Sequence, residues 1–304
     1  MKKLISFCLV AVLAVKGYAQ EFIPLWPAGK MPNSKHMKLT DSIANERVFR
    51  VGVPGMYAFF SSESENKRAA VVICPGGGYE RLAYIISGTQ LAKWFNTLGV
   101  SAFVLNYRLP NSADLVERDK GPLQDAERAI KLIRANAARW KIDTARVGVQ
   151  GSSAGGHLAA MLSTSVEDVA AIGDSLDQVP FHPNFSILVS PVIDMGTYAN
   201  VGSRNNLLGL KPTAAQIEKY SMQLQVTENT SPAFIVHAFN DKAVSVRNSL
   251  LYYGALVENN VSSSIHVFPA GGHSIALRNN PGSTELWTEL CEKWLEEIKI
   301  IERK

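Results

Sequence analysis

The amino-acid sequence predicts an α/β fold built on a mostly parallel sheet, and two observations lead to this prediction. Short buried apolar runs alternate with segments of helical periodicity along most of the 304 residues, which is typical of strand–helix–strand units with right-handed crossovers. Two apolar runs near the N-terminus are separated only by Pro54 and Gly55, which predicts an antiparallel hairpin at one edge of the sheet. No internal repeat or domain linker interrupts the pattern. Helices of a single domain should therefore cover both faces of the sheet.

Residues 1–19 have the features of a secretory signal peptide. Two lysines form a basic start, a twelve-residue apolar run follows at positions 4–15, and small residues lead up to Ala19. The run is too short to span a bilayer comfortably, which disfavours the alternative of a membrane anchor. Cys8 lies inside the run after a bulky side chain and does not fit a lipoprotein signal. We therefore expect cleavage after Ala19, one folded domain over 20–304, and a secreted or periplasmic protein that does not contact the membrane after cleavage.

Removal of that leader brings the chain close to electrical neutrality. The sequence has 31 basic and 27 acidic side chains, and three of the lysines belong to the leader, so the mature chain carries a net charge of +1. It has no basic stripe of the kind that binds nucleic acid and no Cys/His cluster with metal-ligand spacing. We expect no nucleic-acid partner, no metal and no cofactor, and nothing in the sequence indicates an oligomeric state. Cys74 and Cys291 could pair in an exported protein, but their spacing does not argue for it.

The N-terminal half is predicted to alternate extended segments with two helices. Residues 20–33 are rich in proline and should lie extended over the domain. The antiparallel hairpin is expected to pair 48–53 with 56–60. The elements that follow are a buried strand at 69–74, a helix at 85–98 ended by Gly99, a buried strand at 100–107 and an amphipathic helix at 122–140.

The C-terminal half continues the alternation, apart from one irregular segment. Residues 194–232 contain only one helix signal, which begins at Thr213 after a proline. The remaining elements are strands at 146–150, 185–190, 233–239 and 264–268, and helices at 154–163, 244–259 and 284–300.

The stretch from Gly151 to Gly155 carries the strongest chemical signal in the chain. Its sequence, Gly-Ser-Ser-Ala-Gly, matches G-x-S-x-G and lies between a predicted buried strand and a predicted helix. A strand-to-helix turn this tight strains the backbone at the central serine and leaves no room for a Cβ two residues to either side. It exposes the hydroxyl of Ser153 at a helix N-terminus, where backbone N–H groups favour negative charge. We predict that Ser153 is a nucleophile. The alternative is a glycine- and serine-rich connection without chemistry.

A second glycine-rich loop follows the first strand of the predicted parallel set. It reads Pro-Gly-Gly-Gly-Tyr and ends at Tyr79. Such a loop supplies one N–H group to an oxyanion hole, and the residue after the nucleophile supplies another. We therefore predict Gly77 or Gly78 together with Ala154 as the donors, and Tyr79 as a substrate contact, with simple packing as its alternative. A phosphate-binding loop is disfavoured because no Lys-Ser/Thr pair follows, whereas a tight turn without a ligand stays an alternative.

Only one of the six histidines lies in a flexible loop just after a predicted strand. It is His273, and the two glycines before it let the imidazole reach the edge of the sheet. The others lie in predicted strands, a helix or coil, and His157 on the helix after the nucleophile is expected to pack or to form a hydrogen bond. The orienting acid should follow the strand between nucleophile and base, as Asp241 does. A helix cap is the alternative role of Asp241, and Asp194 is the second candidate for the acid.

The order of these motifs resembles that of the α/β-hydrolase esterases, and most of all the secreted bacterial carbohydrate esterases of the acetylxylan-esterase and feruloyl-esterase type. The resemblance includes Leu-Trp-Pro-Ala-Gly at 25–29 and Asn-Tyr-Arg-Leu at 106–109, and it spans nearly the whole mature chain. One departure is Pro75, which stands where hormone-sensitive-lipase-like esterases have a histidine. The resemblance also implies a small cap or none, and hence a site open to a polymer.

The motifs and the resemblance together imply a secreted serine carboxylic-ester hydrolase. Ser153 would attack an ester carbonyl, His273 would transfer the proton, and Asp241 would orient the imidazole. The expected partner is an ester-decorated polysaccharide or oligosaccharide, such as acetylated or feruloylated xylan, with selectivity from residues 194–232. The alternatives are a general short-chain esterase, a serine peptidase of the same fold, and a catalytically inactive homologue that binds glycan. A peptidase is disfavoured because the sequence shows no repeat or second domain that would select peptides.

Overall fold

The structure of the protein is a computed structural model that describes residues 21–273 and 275–302; the predicted signal peptide at 1–19 lies outside the described residues. The strands of the described part are β1 (Glu21–Pro24), β2 (Ser42–Ala44), β3 (Arg47–Arg50), β4 (Gly55–Phe59), β5 (Ala69–Cys74), β6 (Val100–Asn106), β7 (Val147–Ser152), β8 (Ser186–Val189), β9 (Ala233–Ala238) and β10 (Ser264–Phe268).

Eight of these strands form one sheet in the order β1-β4-β6-β5-β7-β8-β9-β10. All neighbours from β6 to β10 pair in parallel, whereas β4 is antiparallel to β6 and β1 is antiparallel to β4. The predicted fold class, a mostly parallel sheet with an antiparallel edge, is therefore confirmed. The carboxyl ends of the parallel strands lie at one edge of the sheet, and residues that directly follow these strands can meet there.

Helices cover both faces of the sheet. The α-helices of the described part are α1 (Gln90–Thr97), α2 (Gly121–Ala135), α3 (Ala137–Trp140), α4 (Ala154–Thr164), α5 (Val201–Leu208), α6 (Ala214–Lys219), α7 (Arg247–Glu258) and α8 (Trp287–Glu297). Helices α2, α4 and α7 enclose one apolar core, and α1 and α8 enclose the other. Cys74 lies in the first core and Cys291 in the second, and both are free thiols. In the described part of the chain, no helix is both long and apolar enough to cross a bilayer.

The antiparallel edge is built differently from the predicted hairpin. Strand β4 pairs with β1 and β6, while β3 pairs with β2 in a separate two-stranded sheet; the predicted pairing of 48–53 with 56–60 is therefore wrong. Four of the five β4 residues are buried, and buried backbone groups require hydrogen-bond partners along both sides of the strand. Strand β1 supplies the hydrogen-bond partners on the outer side of β4. In β3 only Val48 is buried, and it exchanges backbone hydrogen bonds with Leu82.

The segment between β8 and β9 contains more helix than the sequence pattern predicts. Helix α6 begins after Thr213, as predicted, and a capping box between Thr213 and Gln216 closes its N-terminus. Helix α5 is not predicted. Its sequence signal is Asn200, whose side chain accepts a hydrogen bond from the N–H of Ser203 at the helix N-terminus. Residues of α5 reach the loops that follow β5 and β9, and the segment thus adjoins the carboxyl edge of the sheet.

Candidate active site

Ser153 lies at the turn between β7 and α4 in a strained backbone conformation. Its φ is 56° and its ψ is −121°, which is unfavourable for any residue with a Cβ. The flanking glycines allow the turn to close. A Cβ on Gly151 would lie 2.1 Å from the carbonyl oxygen of Gly155, and a Cβ on Gly155 would lie 2.0 Å from that of Cys74. Both positions accept only glycine, and the sequence can fold as an elbow because it has glycine at both.

We expect Gly155→Ala to destabilise the domain by about 3 kcal/mol, because its methyl group would collide with backbone that cannot move aside. Gly254→Ala is the matched control. Gly254 lies within α7 with nothing within 4 Å of the added methyl group, and alanine there should stabilise the protein by about 0.5–1 kcal/mol. Urea unfolding followed by circular dichroism measures both changes. Equal unfolding midpoints for the two variants would contradict the close approach of β5 to the elbow.

Three of the predicted residues meet at the carboxyl edge of the sheet. The Oγ of Ser153 lies 2.8 Å from Nε2 of His273, and Nδ1 of the same imidazole lies 2.7 Å from Oδ2 of Asp241. The serine follows β7, the aspartate follows β9 and the histidine follows β10. The His273 side chain is 29% exposed and the Asp241 side chain is fully buried. Because both distances lie within hydrogen-bond range, the imidazole can accept the proton of the hydroxyl while the carboxylate stabilises the resulting charge.

The carboxylate of Asp241 is held by four donors. Its Oδ1 accepts hydrogen bonds from the backbone N–H groups of Ala243 and Val244 at 2.8 and 2.9 Å. Its Oδ2 accepts from His273 and from Nε2 of His237, which lies 3.1 Å away. Burial alone would raise the pKa of Asp241, but the hydrogen bonds from the two histidines and Val244 outweigh it and hold this pKa well below its usual range. The carboxylate therefore stays ionised in a fixed orientation.

The contact of His237 with this carboxylate is not predicted from the sequence. Nε2 of His237 faces two acceptors, Oδ2 of Asp241 and the carbonyl oxygen of Val244 at 3.0 Å, so we assign the proton to this nitrogen. Nδ1 then accepts a hydrogen bond from the hydroxyl of Ser249 at 2.7 Å. The available signal is the spacing, since His237 lies in β9 four residues before Asp241. A histidine inside a buried strand is otherwise interpreted as packing.

The glycine-rich loop after β5 passes through three successive residues with positive φ. The angles are 135° at Gly77, 67° at Gly78 and 59° at Tyr79. The carbonyl groups of Gly76 and Gly77 accept hydrogen bonds from backbone N–H groups three to seven residues further along the chain. Because the C=O and N–H groups of a trans peptide point in opposite directions, the N–H groups of Gly77 and Gly78 point away from those partners. Both glycines line the same cleft as Ser153.

The predicted oxyanion donors lie on two elements that meet at the nucleophile. Among the described residues, the N–H groups of Gly77 and Gly78 have no acceptor. Ala154 begins α4, and its N–H is therefore one of those at a helix N-terminus that lack an intrahelical partner. The geometry leaves these groups free to bind an oxyanion, and their role in catalysis stays a prediction.

Tyr79 does not line the cleft, so its prediction as a substrate contact is wrong. Its side chain is fully buried, because the positive φ at this residue turns it away from the adjacent glycines. Its hydroxyl lies 2.8 Å from Nδ1 of His157. Nε2 of His157 lies 2.8 Å from the carbonyl oxygen of Tyr220 and therefore carries the proton. Burial lowers the pKa of His157 to about 4, so this neutral histidine anchors the loop through Tyr79.

Asp194, the second candidate for the acid, binds other groups. Its carboxylate accepts hydrogen bonds from the N–H groups of Gly196 and Tyr198 and from the side chain of Gln223. It makes no hydrogen bond to a histidine among the residues that the structure describes. The same part of the chain has no group of three or more His, Cys, Asp or Glu side chains placed to hold a metal ion.

A cleft of about 450 Å³ opens over Ser153 and His273. Apolar side chains reach it from α1, from the π-helical turn before α1 (Ile85–Thr89) and from the segment before α8. Polar side chains reach it from α5. The cleft therefore presents both apolar and polar side chains to a ligand beside Ser153. Among its lining residues are Ile86, Leu91 and Leu277, and from α5 and its cap Asn200, Ser203 and Asn206.

A serine on a strand–helix elbow that faces a histidine and an aspartate from later loops of one parallel sheet defines an α/β-hydrolase. Within that class, the chain belongs to the BD-FAE family, whose model matches residues 57–256.

Individual relatives agree with this assignment. The chain is 35% identical over 219 residues to an acetylxylan esterase of Xylanibacter ruminicola. The aligned region covers 70% of this chain and 42% of the relative. The chain is also 33% identical over 228 residues to endo-1,4-beta-xylanase B of Butyrivibrio fibrisolvens. This aligned region covers 75% of this chain and 35% of the relative. The chain thus spans less than half the length of these curated relatives.

A solved structure matches over nearly the whole of both chains. It is the crystal structure of an acetyl ester-xyloside bifunctional hydrolase from Caldicellulosiruptor lactoaceticus, with 34% identity and a TM-score of 0.78 over 93% of this chain and 97% of that chain. The predicted resemblance to carbohydrate esterases with the α/β-hydrolase fold is confirmed.

Proposed function

We propose that this protein is a serine carboxylic-ester hydrolase that removes acetyl groups from a plant polysaccharide such as xylan. The observation that carries the proposal is the contact of Ser153 Oγ with the imidazole of His273, with the buried carboxylate of Asp241 behind it. The names of the acetylxylan esterase and the acetyl ester-xyloside hydrolase support the substrate class. Feruloyl groups, which also occur as esters on such polymers, are the second acyl group that we propose to test.

In the proposed mechanism, the hydroxyl oxygen of Ser153 attacks the ester carbonyl carbon while Nε2 of His273 accepts the hydroxyl proton. The bond between the carbonyl carbon and the sugar oxygen then breaks, and His273 returns the proton to the departing sugar hydroxyl. A water molecule repeats the sequence on the acyl-enzyme, which releases acetate and restores Ser153. Asp241 keeps the proton on Nδ1 of the imidazole and stabilises the cation that forms between the two transfers.

The N–H groups of Gly77 or Gly78 and of Ala154 are proposed to bind the oxyanion of both tetrahedral intermediates. Donors that are already aimed at the developing charge need no reorganisation during the reaction, and each is worth a factor of about 10²–10³ in kcat. The N–H groups of the two glycines have no competing acceptor among the described residues, so they are available for this role.

We also propose that the enzyme acts outside the cytoplasm. The predicted leader at 1–19 supports export, and a polymeric substrate cannot enter the cell. The mass of the protein recovered from the producing cells tests this step, since cleavage after Ala19 removes the first 19 residues. A protein that retains them would contradict the predicted export.

Release of acetate and ferulate from acetylated xylan, compared with acetylated pectin, feruloylated xylan and p-nitrophenyl acetate, tests the proposed substrate. We expect acetate release from acetylated xylan with the highest kcat/KM of the set, because the polar side chains of α5 can bind the sugar that carries the ester. Activity on p-nitrophenyl acetate alone would instead indicate a general short-chain esterase, and cleavage of peptides would indicate a peptidase. Binding of xylan without hydrolysis of any ester would indicate a catalytically inactive homologue.

A further inference from the structure

Helix α5 connects the two loops that flank the nucleophile. At its N-terminus, the side-chain amide of Asn200 donates a hydrogen bond to the carbonyl oxygen of Ala243 in the loop that carries Asp241. Near its C-terminus, Nδ2 of Asn206 donates to the carbonyl oxygen of Gly78 at 2.8 Å. The backbone of Asn206 is itself held, since its carbonyl oxygen accepts from the guanidinium of Arg118 at 2.8 Å. The helix is thus fixed at both ends against the loops of the candidate active site.

The Gly78–Tyr79 peptide depends on this contact more than its neighbours do. The carbonyls of Gly76 and Gly77 are bound by N–H groups of the loop itself. The carbonyl of Gly78 has one hydrogen-bond donor among the described residues, the amide of Asn206. Loss of that donor would leave this peptide free to rotate, and rotation would change the ψ of Gly78 and relieve the positive φ of Tyr79. The Gly78 N–H belongs to the preceding peptide, whose carbonyl stays bound within the loop, so what would no longer be fixed is the position of Gly78 relative to α5.

We propose that Asn206 is a positioning residue for the glycine-rich loop at 75–79, which we call the oxyanion loop. Its amide ties the end of this loop to α5 through the Gly78 carbonyl, and this keeps Gly78, with its N–H group, in place beside the nucleophile. The proposal rests on the proposed esterase function, because only a developing negative charge would use those donors. It gives residues 194–232 a second role beside substrate selectivity, since part of the segment orients the catalytic loop.

The neighbouring residue Asn205 provides a matched control for Asn206. Both are asparagines on α5 with partly exposed side chains, but no hydrogen bond involves the side chain of Asn205 among the described residues. We therefore compare Asn206→Ala with Asn205→Ala, and Asn206→Asp with Asn205→Asp. Each pair makes the same chemical change one position apart. The Asp pair also places a carboxylate oxygen against the Gly78 carbonyl in one variant only.

Steady-state kinetics on p-nitrophenyl acetate measure the effect. We expect Asn206→Ala to lower kcat about 10- to 100-fold with little change in KM, less than the factor of about 10²–10³ for removal of a complete oxyanion donor, because the loop still visits its active conformation. Affinity for a trifluoromethyl ketone, which forms a tetrahedral adduct with Ser153, should fall in parallel with kcat/KM. Asn206→Asp should lose at least as much activity as Asn206→Ala, and both Asn205 variants should match wild type.

Several outcomes would overturn the proposal. Equal kinetics for the Asn206 and Asn205 variants would show that the contact does not orient the loop. A rise in KM without a fall in kcat would make Asn206 a substrate contact instead. A loss of activity that is matched by a loss of thermal stability, measured by circular dichroism, would make the role of Asn206 purely structural. If Asn206→Ala is insoluble, the isosteric Asn206→Asp supplies the same comparison. The proposed esterase function is tested separately. If that function were wrong, wild type and Ser153→Ala would have equal activity.

Discussion

Replacement of Ser153 by alanine is expected to lower kcat for p-nitrophenyl acetate on the order of 10⁶-fold while the protein keeps its fold. The hydroxyl oxygen lies 2.8 Å from Nε2 of His273 and is the atom that would form the acyl-enzyme. Alanine retains the Cβ and fits the same strained backbone, so stability should stay close to that of wild type. Activity lost without loss of stability would separate a chemical role from a structural one.

Ser152 provides the control for this experiment because it occupies the same turn, one residue earlier. Its Oγ accepts a hydrogen bond from the side chain of Gln150 at 3.1 Å and has no histidine partner among the described residues. Ser152→Ala should therefore retain most of the wild-type activity. A rapid burst of p-nitrophenol in wild type, absent from Ser153→Ala, would report the acyl-enzyme directly. If the two variants lose activity equally, or if Ser153→Ala remains active, Ser153 is not the nucleophile.

Ser153 is predictable from the sequence because its requirements are local. The elbow needs a buried strand, two residues without a Cβ and a helix start within a few positions. All three can be recognised from the residue types in this short stretch of sequence. In the structure, a Cβ at Gly151 or Gly155 would lie 2.1 or 2.0 Å from a backbone oxygen, which explains why both positions must be glycine. Asp241 and His273 are predictable for another reason. In a parallel sheet, residues that directly follow strands share one edge, so chain order alone indicates which side chains can meet.

Contacts that depend on the direction of one side chain are not predictable in this way. Tyr79 follows three glycines in the oxyanion loop, yet its φ of 59° sends the ring into the core. His237 reads as part of a buried strand, although its Nε2 lies 3.1 Å from Asp241. Helix α5 has weak sequence signals because it is short and has no apolar stripe, and its position depends on hydrogen bonds to loops more than 40 residues away in the chain. Each case is decided by tertiary contacts that local patterns do not encode.

Asp241→Asn is expected to lower kcat by about 10⁴-fold, although the substitution preserves the shape of the side chain. Oδ1 of Asp241 accepts from two backbone N–H groups, so the amide oxygen of asparagine must take that position. Its NH₂ group then faces Nδ1 of His273. An NH₂ group needs an acceptor there, which favours the imidazole tautomer with its proton on Nε2. That proton would point at Ser153, and the imidazole could no longer accept the proton of the hydroxyl.

Asp194→Asn is the matched control for this variant. Asp194 also follows a parallel strand and accepts hydrogen bonds from two backbone N–H groups, but it makes no hydrogen bond to a histidine among the described residues. We expect Asp194→Asn to leave kcat near wild type. Equal losses in the two variants, measured on p-nitrophenyl acetate, would show that the effect comes from disturbed loops and not from the tautomer of His273.

The stability of Asp241→Asn should also depend on pH in a direction set by the carboxylate. The hydrogen bonds from His237, His273 and Val244 hold the pKa of Asp241 in the folded protein below its value in the unfolded chain, which is about 3.9. A group of this kind contributes stability above the unfolded pKa, and the contribution is lost as the pH falls through the folded pKa. The stability difference between wild type and Asp241→Asn in urea unfolding should therefore be larger at pH 7 than at pH 3. A difference that is constant over this range would mean that the charge of Asp241 does not contribute to folding, and its tight hydrogen bonding would then have to be explained by orientation of the imidazole alone.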